Sequence, residues 1–199
     1  MRRWLARAAV VTVLMTPWPA FAHLVNSGLG PFYDGALHLL LSPTDLLGLV
    51  AVALLAGLRG ARAGRWTVIV LPVAWLLAAL LGMRSSMSLD LSWLSIVSFL
   101  ALGLLVALDA GVPPWVVAVL AGMYATLQGF LNGMTLATIG AGVVTLSGIV
   151  LAVLVIALLT AAAVVPLRAL WSRTVVRVAG SWIVAVGLLM LGWLTQGAG

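Results

Sequence analysis

The chain has no cysteine, no lysine and no glutamate. Without cysteine there are no disulfides, no thiolate metal sites and no cysteine nucleophile. Without lysine and glutamate, four aspartates and two histidines are the only side chains besides arginine that carry or exchange charge near neutrality. Charged residues of all kinds make up only 7% of the 199 positions, while 64% are hydrophobic. A water-soluble fold of this size has no use for such a surface; lipid as the solvent accounts for both figures. A hydrocarbon core about 30 Å thick takes about 20 apolar residues per helical crossing, with each peptide group satisfied inside its own helix. The apolar runs show no period-two alternation, which excludes a barrel. The expected fold class is therefore all-α, a polytopic membrane protein in contact with the lipid bilayer. The formal charge of +6 comes from arginines in short gaps between apolar runs, so it reads as topology and not as a nucleic-acid footprint.

The N-terminus has the layout of a secretory signal. Arg2, Arg3 and Arg7 precede a short apolar stretch, Pro17 and Pro19 break it, and Ala20-Phe21-Ala22 offers a small-x-small cleavage pattern. Residues 1–22 are expected to be removed, leaving His23 first; an uncleaved first helix is the other reading. The remainder, 23–199, forms one membrane domain with expected spans at 43–58, 66–83, 91–110, 114–137, 141–165 and 174–195. A shorter apolar segment, 36–41, leads into the first span. Arg59, Arg62 and Arg65 follow the first span, and Arg168, Arg173 and Arg177 lie around the gap between the fifth and sixth, on the same side; only Arg84 falls opposite. By the positive-inside rule the basic face is cytoplasmic, so both mature termini lie outside, across a bacterial inner membrane. Trp66, Trp93, Trp115, Trp171 and Trp193 sit near span ends, as interfacial indoles do. Asp109, at the basic end, is expected to be solvated.

Two places break the apolar pattern, and polar groups at membrane depth are functional candidates. The first runs from Asp34 to Asp45. In one continuous helix His38 and Asp45 lie two turns apart on one face, where they can share a divalent cation or pass a proton. Helix capping competes with that reading, with Ser42 as N-cap, Pro43 at the first position and Asp45 at the third; Asp34 can cap the preceding segment. The second place holds Gln128, Asn132 and Thr135 at i, i+4 and i+7, beside a small-xxx-small seam of Gly129 and Gly133 that lets another helix approach. Those three side chains serve either as interhelical hydrogen-bond partners or as the polar lining of a solute path. The hydroxyls of Ser92, Ser95 and Ser98 can bond back to their own helix and need no function.

At these two segments the chain resembles the HupE/UreJ family. That family's first motif reads His-Pro-x-x-Gly-x-Asp-His-Leu-Leu. Here His38 and the Leu46-Leu47 pair match, Thr44 stands where the family has Asp, and Asp45 where it has His. Its second motif reads Phe-His-Gly-x-Ala-His-Gly-x-Glu. Gly129 and Gly133 match, while Gln128, Asn132 and Thr135 replace His, His and Glu. A further family histidine corresponds to Thr145. The resemblance implies transported nickel or cobalt, linked to hydrogenase or urease maturation, with no permanently bound cofactor. Of this chain's own residues only His23, His38, Asp34 and Asp45 could contribute to such a site, and His23, His38 and Asp45 are the expected metal-binding residues, His23 contributing an α-amine and an imidazole if the signal is cleaved. Thr44, Gln128, Asn132, Thr135 and Thr145 then line the passage. The replaced ligands leave a second expectation open, a non-transporting subunit or assembly factor that packs against a membrane partner or a second copy of itself. An intramembrane enzyme is not expected, since neither H-E-x-x-H nor G-x-S-x-G occurs.

Overall fold

A computed structural model describes residues 27–85, 90–167 and 169–196. Residues 1–22, expected to be a signal, and His23 lie outside the described residues, as does Arg168. Among the described residues the fold is seven helices and no strand: α1 (Pro31–Leu41), α2 (Pro43–Leu58), α3 (Ala61–Gly82), α4 (Ser92–Ala107), α5 (Pro114–Thr138), α6 (Val143–Val164) and α7 (Leu170–Gln196).

Helices α3, α5, α6 and α7 are long and apolar enough to cross a membrane. Helices α1 and α2 pass the same test together, but are bent by 74° at the break between them. The expected first span is thus the second half of a bent pair. Pro43 causes the bend, because it lacks an N–H and disfavours helical backbone in the residue before it; Ser42 is extended, with φ −91° and ψ 101°. The third expected span, 91–110, is a helix of only 16 residues, α4. At about 1.5 Å per residue it measures about 24 Å. Leu108 ends it, and Asp109 follows with φ 49°, in the left-handed region that aspartate tolerates better than most residues. Helix α3 begins at Ala61, ahead of the expected 66, because Arg62 folds over the Trp66 ring, 5.5 Å from its centroid, and Arg65 is exposed.

Helix α2 is the axis. Every residue from Ala51 to Leu58 is buried, as expected of a helix that is apolar all round, and the other helices surround it. The outer helices associate in close pairs through glycines. A methyl added to Gly129 of α5 would lie 2.9 Å from the Trp75 Cα of α3, and one on Gly133 would lie 2.9 Å from the Ala79 Cα. Gly180 of α7 stands in the same relation to the Ala107 N of α4, at 2.7 Å, and Gly148 of α6 to the Ala36 N of α1, at 3.2 Å. Backbones this close maximise dispersion contacts where no hydrophobic force operates between helices.

At one end of the bundle Asp109, after α4, pairs with Arg59, which ends α2, and with Arg173 in the first turn of α7 at 2.6 Å. Arg177 donates to the Ala107 carbonyl at 3.0 Å. The expected solvated carboxylate is instead the joint of three helix ends. The exposed Trp66, Trp115 and Trp171 lie toward this end, and Trp93 and Trp193 toward the other.

Candidate functional site: a polar cavity at the helix break

The break between α1 and α2 is where polar groups gather. Ser42 forms no side-chain N-cap; its N–H (3.0 Å) and its hydroxyl (2.8 Å) both go to the His38 carbonyl. The capping box read for Asp45 therefore does not form. The Asp45 carboxylate turns inward, 5% exposed, and accepts a hydrogen bond from Asn132 Nδ2 at 3.0 Å. That same nitrogen donates to the Gln128 carbonyl at 2.9 Å. With both acceptors on its nitrogen side, the Asn132 amide presents Oδ1 to His38, whose Nε2 lies 3.0 Å away. Only an N–H can bond an amide oxygen, so His38 carries a proton on Nε2; the lone pair of the neutral ring is then on Nδ1. His38, Asn132 and Asp45 form one chain of hydrogen bonds, with the amide between imidazole and carboxylate.

Gln128, one turn earlier on α5, is 1% exposed and accepts from the Ser95 hydroxyl of α4 at 3.1 Å. Its Nε2 is buried with no partner among the described residues, an unmet donor that a low-dielectric site makes costly. Tyr124, a further turn back, donates to the Asp45 carbonyl at 2.6 Å and approaches that of Thr44 at 2.9 Å. It thereby anchors the first turn of α2, whose N-terminal residues are offset by the bend.

Part of this network borders a cavity of about 1160 Å³, though Ser42 and Tyr124 do not line it. His38, Thr44, Asp45, Gln128, Asn132 and Thr135 all line it. Its rim is built from Ser85, Asp90, Thr138 and Leu194, at the end of the bundle remote from the Asp109 ion pairs. The Ser92 hydroxyl and N–H donate to Asp90 at 2.6 and 3.0 Å, holding its carboxyl below the usual carboxylate range and negative at the mouth. No lining residue comes from the arginine end. On α5 the lining stops at Gln128, 14 residues and about 21 Å of helix from Pro114. All of its lining residues fall in the half of the bundle remote from the Asp109 ion pairs.

Thr145 is not part of it. It is buried where its backbone carbonyl meets Gly35 of α1, serving the α1–α6 contact. Thr135 faces the cavity, but its hydroxyl bonds to the Leu131 carbonyl at 3.1 Å. Asp34 is no cap either; the Ser27 N–H and hydroxyl donate to it at 2.7 and 2.6 Å, folding the lead-in segment onto α1. Sequence reasoning passed over Ser95, Tyr124 and Asp90. Tyr124 carried a usable signal, since 124, 128 and 132 repeat at i+4 along one stripe, and Asp90 carried one in Ser92 two residues on; Ser95 carried none, because its partner, Gln128, is on a neighbouring helix.

As a ligand set for a cation the cavity offers one imidazole, one carboxylate and neutral oxygens. Among the described residues no three His, Cys, Asp or Glu side chains group together. Such a set is oxygen-rich and weak for metals that want several imidazoles.

A family model described as HupE / UreJ protein matches residues 11–190. No curated protein and no solved structure matches the chain.

Proposed function

The chain belongs to the HupE/UreJ family, and on that premise we propose that it is a permease-like protein of a bacterial inner membrane. Its cargo is a divalent metal cation, nickel or cobalt by the family resemblance, or another small solute. One observation carries the reading: His38 and Asp45, about 90 residues away in sequence from Gln128 and Asn132, border a single cavity with them. Six crossings follow if the bent α1–α2 pair counts as one and the short α4 spans a locally thinned bilayer. With residues 1–22 removed and the Arg59, Arg62, Arg65, Arg173 and Arg177 end in the cytoplasm, the cavity opens outward.

In this mechanism the cation enters past Asp90. His38 Nδ1 and the Asp45 carboxylate replace part of its hydration, with His23 as a further donor. The Gln128 and Asn132 amides and the Thr44 and Thr135 hydroxyls supply neutral dipoles that bind without trapping. Inward passage requires the Asp109 end to open. No P-loop sequence is present, so transport runs down a gradient, is coupled to one, or depends on a partner. A second reading, a non-transporting accessory subunit, is favoured by one contact: the Asn132 amide stands between His38 and Asp45.

Cells expressing the wild type, His38→Ala or Asn132→Ala, at matched membrane levels, are compared with empty cells for nickel and cobalt accumulation. Wild-type uptake above background and its loss in His38→Ala is the expected result. Equal accumulation in all four removes the transport reading.

A further inference from the structure

A second hollow lies at the opposite end of the bundle. A groove of about 440 Å³ runs between α3 and α6, walled by Ala61, Gly64, Val68, Leu158 and Ala161, with Arg65 as its one charged lining residue. Small residues create it: even a methyl on Gly64 would reach only ordinary contact, 3.8 Å from the Ala161 Cβ. From Ala61 to Ile69 the lining follows α3 for eight residue steps, about 12 Å of helix, running from the arginine end into the apolar body.

Its mouth is cationic. Arg65 is exposed and meets no carboxylate among the described residues; Arg62, also exposed, rests on the Trp66 ring. The nearest aspartate in the sequence of this end, Asp109, is committed to Arg59 and Arg173. Two guanidiniums without counter-ions above an apolar slot are complementary to a phosphate ester carrying hydrocarbon. A second copy docking here about a twofold axis would set Arg65 near its own counterpart, which charge repulsion opposes.

We propose that this groove is a binding site for an anionic phospholipid of the leaflet at the arginine end. The phosphate sits on Arg65, with Arg62 beside it, and one acyl chain lies along Val68, Ile69 and Leu158. The site is independent of the cavity and its cargo.

The test is native mass spectrometry of the full chain released from detergent, offered equal amounts of phosphatidylglycerol and phosphatidylcholine with identical chains. The wild type is expected to retain phosphatidylglycerol preferentially, and Arg65→Gln to cut that preference about fivefold. Arg65→Lys keeps the preference. Ala162 also lines the groove, and Ala162→Trp, filling it with both arginines intact, lowers adducts of both lipids. Arg84→Gln, at the other end, changes nothing. Equal retention of the two lipids by the wild type overturns the proposal. So does an equal drop in Arg84→Gln and Arg65→Gln, unchanged adducts in Ala162→Trp, or a protein dimer in place of the lipid adduct.

Discussion

At the residue scale, Asn132 carries more of the site than any other side chain. Its amide satisfies Asp45, His38 and a backbone carbonyl of its own helix at once. Leucine at this position fits the volume and removes all three bonds, leaving buried polar groups unmet at about 1–3 kcal/mol each. Asn132→Leu is therefore expected to unfold at distinctly lower temperature in detergent, whereas Thr135→Ala, whose hydroxyl bonds only to its own helix, is expected within about 0.5 kcal/mol of wild type. Equal melting of the two variants, followed by circular dichroism, would show that the amide ties nothing together. The polarity of position 132 was plain from the sequence. Its partners were not, because Asp45 reads equally well as a cap until Ser42 is seen spending both its donors on His38.

At the element scale, helices were legible wherever apolar length and composition decide the matter, as in α3, α5, α6 and α7. Boundaries failed where a specific contact overrides composition: Arg62 folded on Trp66 extends α3, and Asp109 held by two arginines ends α4. The break at Ser42 was readable from Pro43, yet its angle belongs to tertiary structure, since Tyr124 grips the first turn of α2. The seam of Gly129 and Gly133 was visible as spacing, while the helix it faces was not; that helix is α3. Gly133→Leu is expected to drive α3 and α5 apart, costing about 1–3 kcal/mol or more. Gly142→Leu, at a glycine with nothing within 4 Å, is expected to be close to neutral. Denaturant titration of the purified variants checks this; a harmless Gly133→Leu would mean the two backbones do not approach so closely.

At the scale of the whole molecule, the charge distribution and the hollows are polarised together. The Asp109 pairs tie one end together, and the cavity lies toward the other. The absence of cysteine makes this polarity directly testable, since each introduced thiol is the sole one in the chain. In sealed spheroplasts, Thr138→Cys at the cavity rim is expected to react with a membrane-impermeant maleimide, while Arg62→Cys reacts only after lysis. The reverse pattern would invert the proposed orientation and turn the cavity toward the cytoplasm.

The glycine contacts divide the bundle mechanically. Seams between α3 and α5, between α4 and α7, and between α1 and α6 leave three rods around the α2 spindle instead of six independent ones. Each rod contributes to the cavity wall: Asn132 from the first, Ser95 from the second, His38 from the third. Tilting one rod against the others alters the chamber's girth while every seam stays shut, so the joints between rods, and not the rods themselves, are where the molecule can flex.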